Sequence, residues 1–182
     1  TNQKEFVLDK LEEHKQRLLK YPLKMEPNIK DGYGGIRESN MMYWMANILY
    51  GVTNTKDLIG KQFTEEEYKK YRQALEFIFQ VRNALHNIAR KKQDQVTFDI
   101  LPDLSTKLGF VNKPRHTKDR QCMSKLLSTL HIIHNFTATM VKKFTRQVLF
   151  EASNIPKLKE LRYKKNLYII DNKLFCSFNT TP

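Results

Sequence analysis

Apolar residues recur at three- and four-residue steps through most of the chain, which is the period of an amphipathic helix. The steps predict four long helices, over residues 3–20, 36–50, 64–91 and 119–152. They also predict a two-turn helix that begins at about residue 102. The last long helix carries its apolar residues at alternating steps of four and three, as the seam of a helix bundle does. The pattern therefore predicts an all-α helical bundle.

Local signals mark where these helices begin and end. Pro22 stops the first helix, and Gly51 is suited to the position just after the second. Thr64 precedes three glutamates, and its spacing from Glu67 is that of a capping box. Gly109 closes the two-turn helix. The ends of the helices are thus predicted by residues that lie next to them.

The pattern changes after Pro156. A basic connection leads to two short apolar runs, 167–170 and 173–175, which predict a small C-terminal β-hairpin with its turn at residues 171–172. A lone hairpin is only marginally stable, so it is expected to dock on the bundle or to begin another domain. We therefore divide the chain into a helical bundle domain, 1–155, and a connection with a hairpin, 156–182. The chain is expected to be a segment of a longer protein.

Composition and charge narrow the class of protein. The chain has 182 residues and is 40% hydrophobic, which is enough for one buried core. No apolar run approaches the roughly 18 residues that span a bilayer, so no membrane segment is predicted. Cys122 and Cys176 lie far apart and are expected to be free thiols in a cytoplasmic protein.

The net charge of +13 is concentrated in the second half of the chain. Residues 1–106 carry 17 basic and 15 acidic side chains, whereas residues 107–182 carry 15 and 4. Such a field attracts polyanions, which include nucleic acids, nucleotides and acidic proteins. Charge alone does not choose among them.

A glycine-rich turn enters the second helix. Three of the six glycines lie between positions 32 and 35, where glycine permits positive φ and close approach of the backbone. Lys30 enters this turn and Arg37 leaves it, at the N-terminus of a helix. These features predict an anion site formed by Lys30, Gly34, Gly35, Arg37 and Glu38. The alternative is a simple connection into the helix with solvated charges.

Other polar residues on the helices favour structural roles. Arg82 and His86 lie one turn apart on the apolar side of the third long helix, and Asp99 is placed to pair with Arg82 or to cap the next helix. We interpret Arg82, His86 and Asp99 as a structural polar network. A catalytic His86 would need a partner that the sequence does not identify. Trp44 is predicted to anchor the core.

The residues for several kinds of chemistry are missing from the sequence. His131 and His134 lie three apart, but no carboxylate or cysteine stands at a matching position, so no metal site is predicted. The sequence has no Walker loop, serine elbow or cysteine cluster, and no Asp-x-Asp pair of the kind that holds Mg²⁺ in nucleotidyltransferases. The sequence therefore predicts no catalytic residue in this chain.

The glycine turn and its surroundings resemble one known family. The stretch MEPNIKDGYGGIRESNMMYW is similar to the segment that follows the catalytic core in bacterial PII uridylyltransferase/uridylyl-removing enzymes. The resemblance covers about residues 22–110 and rests on Glu26, Pro27, Asn28, Ile29, Lys30, Gly34, Gly35, Arg37, Trp44, Arg82, Leu85, His86, Phe98 and Asp99. Glu38 departs from the family, which usually has Asp there, and Tyr33 and Ile36 depart in the same way from Pro and Leu. Glutamine synthetase adenylyltransferases share a similar turn and remain an alternative.

The resemblance implies a role within a larger enzyme. Family members transfer UMP from UTP to a tyrosine of the nitrogen-regulatory protein PII and remove it again. This chain would be their helical domain, similar to nucleotidyltransferase substrate-binding domains, with the upstream nucleotidyltransferase domain and PII as partners. Mg²⁺ and UTP would act in the parent enzyme, with no cofactor bound by this segment. Its Lys30–Arg37 turn would face the nucleotide or brace the catalytic core.

Two other functions remain open from the sequence. The basic second half could bind nucleic acid, although its aromatic and basic residues are not interleaved as in a groove that tracks a strand. The same basic face could instead dock an acidic protein without any small ligand.

Overall fold

The structure, a computed structural model, describes residues 2–111 and 114–152 and three short strands further on, with side chains for 2–111 and 114–148. It consists mainly of helices, which confirms the predicted all-α class. The helices are α1 Gln3–Lys20, α2 Ile36–Tyr50, α3 Glu65–Ala89, α4 Leu101–Lys107 and α5 Arg115–Ala152, with a 3-10 helix at Thr55–Leu58. No helix in this described part is both long and apolar enough to span a lipid bilayer.

The predicted helix ends are largely confirmed. The Thr64 hydroxyl accepts a hydrogen bond from the Glu67 N–H, and the Glu67 carboxylate accepts one from the Thr64 N–H, so the capping box is complete. Gly51 ends α2 in the left-handed conformation with φ of 64°. Helix α5 begins four residues earlier than predicted, because the carbonyl of Pro114 accepts the N–H groups of Thr117 and Lys118 and starts the first turn.

Helix α5 lies at the centre of the bundle and contacts α1, α2, α3 and α4. Its buried apolar side chains include Leu126, Leu130, Ile133, Met140 and Phe144, each at most 2% exposed. The sequence pattern places Leu126, Ile133 and Met140 beside the main seam, but in the structure they lie at its centre. The difference arises because neighbouring helices cover α5 on several sides, whereas a heptad seam describes one contact.

Trp44 does not anchor the core, contrary to the prediction. Its side chain is 42% exposed, while Met42, Met45 and Ala46 fill the buried faces of α2. The ammonium group of Lys10 on α1 lies 5.2 Å from the centroid of the Trp44 ring. Trp44 is therefore a surface aromatic residue beside a basic one, where α1 crosses α2.

The strands form a three-stranded antiparallel sheet in the order β1, β2, β3, with bounds Lys159–Glu160, Leu167–Ile170 and Lys173–Cys176. Ile170 is opposite Lys173. Strand β1 falls within the stretch that the sequence predicts to be a basic connection. The predicted turn at 171–172 and the predicted boundary between 155 and 156 lie outside the described residues, so both stay predictions.

Candidate anion-binding site

The turn before α2 is held by Asn28 and Ile29. The side-chain oxygen of Asn28 accepts the N–H groups of Lys30 and Asp31 at 3.0 and 2.7 Å. Ile29 is fully buried, and its N–H donates to the carbonyl of Asp94. A bridge between Asn28 and Gln95 joins the turn to the segment after α3. The turn is thus fixed on both sides before it reaches the glycines.

Gly34 and Gly35 allow the turn to pack tightly. A Cβ atom at Gly34 would lie 1.9 Å from the backbone oxygen of Leu130 on α5, and Gly34 also has a φ of +66°. A Cβ atom at Gly35 would lie 2.7 Å from the backbone oxygen of Lys30. Both positions require glycine because another part of the backbone comes too close for a side chain.

The N–H groups of this turn donate to acceptors within the protein. The Gly34 N–H donates to Glu38 Oε1 at 3.0 Å, and the Gly35 N–H donates to the carbonyl of Gly32 at 3.0 Å. The Arg37 N–H donates to the carbonyl of Lys30. The sequence predicts that Gly34 and Gly35 offer backbone donors to an anion, but in the structure these donors are already bonded. An anion at this turn would therefore be bound by side chains.

Glu38 lies behind the turn and not on its open side. Its side chain is 1% exposed, and its carboxylate accepts hydrogen bonds from the Gly34 N–H and from the Thr137 hydroxyl at 3.0 Å. His134 Nδ1 lies 3.1 Å from Glu38 Oε2. Burial alone would raise the pKa of Glu38, but the contacts with His134 and Gly34 outweigh burial and lower this pKa. Glu38 thus ties the turn to α5, and its side chain is buried away from solvent.

The two histidines of α5 also contact the turn. The Tyr33 ring stacks on the His134 ring with 3.8 Å between centroids, and the Tyr33 hydroxyl lies 3.1 Å from His131 Nδ1. Within residues 2–111 and 114–148, no three His, Cys, Asp or Glu side chains come together as a set of metal ligands. The histidine pair accordingly contributes to the packing of the turn on α5.

A pocket of about 250 Å³ opens where the turn, α1, α2 and α3 meet. Five cationic side chains line it, together with one carboxylate, Glu13, and the neutral residues Asn40, Ile36, Met41 and Trp44. The cations are Lys10, Arg17, Lys30, Arg37 and Arg82. The structure thus brings the predicted pair, Lys30 and Arg37, together with Arg82, which the sequence assigns to a different network.

Sequence reasoning does not place Lys10 and Arg17 at this site. Both lie on the polar face of α1, and their spacing of seven residues, with Glu13 between them, puts all three on one side of the helix. That spacing is the sequence signal that could have placed these residues at a common site. It is also typical of a helix face exposed to solvent. Only the packing of α1 against α2 directs these residues toward the glycine turn.

Ion pairs within and beside the pocket leave it positively charged. Arg37 Nε lies 2.6 Å from Asp31 Oδ1, and Arg82 Nε lies 2.7 Å from Asp94 Oδ1. Lys30 Nζ is 3.8 Å from the same Asp94 carboxylate. With Glu13 as the third carboxylate, five positive charges face three negative ones. The surplus makes the pocket attractive to anions.

Asp94 takes the place that the sequence assigns to Asp99. Asp94 lies beside both Arg82 and His86, whose Nε2 is 3.5 Å from Asp94 Oδ1, whereas Asp99 is exposed just before α4. Burial alone would raise the pKa of Asp94, but the hydrogen bond and charge of Arg82 outweigh burial and lower this pKa. Asp94 is the better placed partner because its segment pairs with the turn at Asn28.

Fold and site together define a helical bundle domain with a cation-lined pocket beside a glycine-braced turn. A sequence model of the GlnD PII-uridylyltransferase family matches residues 5–141, more than half of the chain. The chain belongs to this family, which confirms the resemblance seen in the residues of the turn.

The curated relatives that match are much longer than this chain. One from Ruegeria pomeroyi is 36% identical over 114 residues, which is 61% of this chain and 13% of that protein. Another from Novosphingobium aromaticivorans is 34% identical over 116 residues, or 62% and 13%. A third from Nitrobacter winogradskyi is 29% identical over 180 residues, or 92% and 20%. Each is named a bifunctional uridylyltransferase/uridylyl-removing enzyme, so the chain corresponds to one part of such an enzyme. No solved structure matches it.

Proposed function

We propose that the chain is the helical domain of an enzyme that transfers UMP from UTP to a tyrosine of PII in the cytoplasm. In this proposal the pocket binds phosphate groups of the nucleotide beside the upstream nucleotidyltransferase domain. The observation that carries the proposal is the convergence of five cationic side chains from α1, α2, α3 and the glycine turn on one pocket. Family membership supports it independently.

The side chains in the pocket suit phosphate. Three of its five cations are arginines, whose planar guanidinium groups bind phosphate oxygens through paired hydrogen bonds. Lys30 adds a point charge at the entrance to the turn. Arg37 is exposed, so a ligand can reach it without opening the bundle. We assign the chain a role in binding, and any Mg²⁺ would be held by carboxylates of another domain.

Calorimetric titration with UTP tests this proposal. The folded chain should bind UTP weakly, and Arg37→Ala should reduce the affinity by about five- to tenfold, the effect of one charge-assisted contact. Arg120→Ala is the matched control, because Arg120 is exposed on α5 and does not line the pocket. Its affinity for UTP should equal that of the unaltered chain.

Circular dichroism of each variant separates binding from folding. If Arg37→Ala unfolds the chain, Lys30→Ala provides the second comparison. A folded chain that shows no heat of UTP binding would contradict the proposal, as would equal affinities for the Arg37 and Arg120 variants.

A further inference from the structure

Glu13 has an unusual position within the cationic pocket. Of the ten residues that line the pocket, it is the one carboxylate. Its two oxygens contact different cations: Oε2 lies 2.6 Å from Lys10 Nζ, and Oε1 lies 3.3 Å from Arg17 Nη1. Glu13 therefore places an anionic group among the cations that a bound anion would contact.

The positive charges around Glu13 favour an anionic group at the position of its carboxylate. The hydrogen bond from Lys10 lowers the pKa of Glu13, and the charges of Lys10, Arg17 and Arg37 lower it further against the opposing effect of burial. Arg37 belongs to α2, so the cations around this carboxylate come from two helices. The pocket thus holds an anion of its own even without a ligand.

Arg17 has binding capacity that Glu13 does not use. The Arg17 side chain is 11% exposed, and its Nε is buried without a hydrogen-bond partner. Burial is the largest cause that lowers the pKa of Arg17. The negative charge of Glu13 raises this pKa in part, and the like charge of Arg37 lowers it again. An anion with more charge and more oxygens than a carboxylate could therefore form more hydrogen bonds with the guanidinium groups of Arg17 and Arg37.

We propose that Glu13 is an internal competitor that restricts the pocket to multiply charged phosphate groups. The inference rests on the proposed function, in which the pocket binds phosphate. A phosphate ester or polyphosphate displaces the Glu13 carboxylate from Lys10 and Arg17 and takes its place. The Glu13 side chain is 44% exposed, so it can turn into solvent while the more buried Arg17 stays in place.

The competition explains how the pocket would reject small monoanions. A carboxylate or chloride ion gains contacts that Glu13 already makes, and Glu13 makes them without the entropic cost of association. A phosphate group presents three acceptor oxygens and up to two charges, so it can contact more cations than Glu13 does. An anion must therefore carry more negative charge than a carboxylate to displace Glu13 and bind in the pocket.

The chain contains one tryptophan, Trp44, which lines the same pocket. Because Lys10 Nζ lies 5.2 Å from the Trp44 ring and also bonds Glu13, displacement of Glu13 changes the surroundings of the indole. Tryptophan fluorescence therefore reports on this pocket directly. Calorimetry on the same samples provides a second measurement that does not depend on the indole.

The experiment titrates tripolyphosphate, UTP and sodium acetate into the unaltered chain, Glu13→Gln and Glu12→Gln at constant ionic strength. Glu13→Gln should bind tripolyphosphate and UTP about tenfold more tightly, because the competing charge is gone. Glu12→Gln makes the same charge change on an exposed residue that pairs with Lys15 outside the pocket, and it should change each affinity less than twofold. Acetate should give no saturable signal with the unaltered chain.

Equal affinities for Glu13→Gln and Glu12→Gln would overturn the inference, and so would weaker binding by Glu13→Gln or saturable binding of acetate to the unaltered chain. If the unaltered chain binds UTP and only these differences are missing, the proposed function stands and the inference fails. If none of the three proteins binds UTP or tripolyphosphate, both fail. Tighter binding of UTP than of tripolyphosphate identifies a nucleotide as the source of the phosphate, whereas equal binding identifies the phosphate chain alone.

Discussion

At the scale of single residues, Gly34 is the glycine with the least room for a side chain. The backbone of α5 passes so close that a Cβ atom would overlap the oxygen of Leu130, and the positive φ adds strain for any other residue. The oxygen cannot move cheaply, because it belongs to the backbone of α5, and the position of the Cβ atom is set by the backbone of the turn. The glycine therefore fixes the distance between the turn and the central helix.

Replacing Gly34 by alanine should destabilise the protein by about 3 kcal/mol or more, from overlap and backbone strain together. Gly60→Ala is the control, because Gly60 has a φ of +78° with open space around it. It should cost about 1 kcal/mol from strain alone. Urea unfolding monitored by circular dichroism measures both variants. Equal losses of stability would show that α5 does not constrain the turn.

The sequence predicts some of the site residues and not their partners. Lys30 and Arg37 can be identified because they flank a glycine cluster, whereas the sequence assigns Arg82 to a structural polar network and not to this site. The partner of Arg82 cannot be read locally, since Asp94 reaches it through the pairing of its segment with the turn. Glu38 contacts His134, which lies 96 residues further along the chain and cannot be recognised as its partner from local sequence.

At the scale of secondary structure elements, helix α3 shows how much a local signal can determine. Its capping box joins residues three apart, so it forms from sequence neighbours alone. The three glutamates of its first turn also lie at the positive end of the helix dipole. The start of α3 was predictable for this reason.

Thr64→Ala should lower the free energy of unfolding by about 1 kcal/mol, because it removes the side-chain acceptor for the Glu67 N–H. Ser128→Ala is the control on an exposed position inside α5, where alanine is a better helix former, and it should change stability by less than about 0.5 kcal/mol. Thermal or urea unfolding checks both. A loss from Thr64→Ala no greater than from the control would show that the box adds nothing to stability.

The face that each helix buries was less predictable than its ends. Periodicity identifies an apolar stripe, but the centre of the stripe on α5 depends on four other helices that surround it. The same limit applies to Trp44, whose apolar ring suggests burial. Its position at the crossing of α1 and α2 leaves one side open, and this could be known only from the arrangement of the helices.

At the scale of the whole molecule, the chain spans about 13–20% of the length of the curated relatives it matches. Residues 107–182 carry most of the net charge, yet the cations of the pocket all belong to residues 10–82. The basic second half and the pocket are therefore separate features. The composition of the sequence indicated the basic second half. The pocket could be recognised only in the folded structure, where α1 packs beside the turn.

Incubated alone with UTP, Mg²⁺ and PII, this chain should transfer no UMP above the rate of a blank. Such transfer needs two or three carboxylates that converge on Mg²⁺. The sequence has no Asp-x-Asp pair of that kind, and the described part of the chain has no group of three or more His, Cys, Asp or Glu residues that could hold a metal ion. Mass spectrometry of PII detects the added UMP, and a full-length enzyme with measured activity on the same PII provides the positive control. Steady turnover by the chain alone would contradict the division between binding and chemistry.

The central position of α5 also has a consequence for how the protein is made. Ribosomes synthesise the chain from the N-terminus at about 5–20 residues per second. The separation of 96 positions between Glu38 and His134 therefore corresponds to about 5–20 s of translation at that rate. Helices α3 and α4 are synthesised during this interval, so all four earlier helices precede α5, which contacts each of them. Until α5 has been synthesised, the apolar surfaces that it covers on the earlier helices stay exposed.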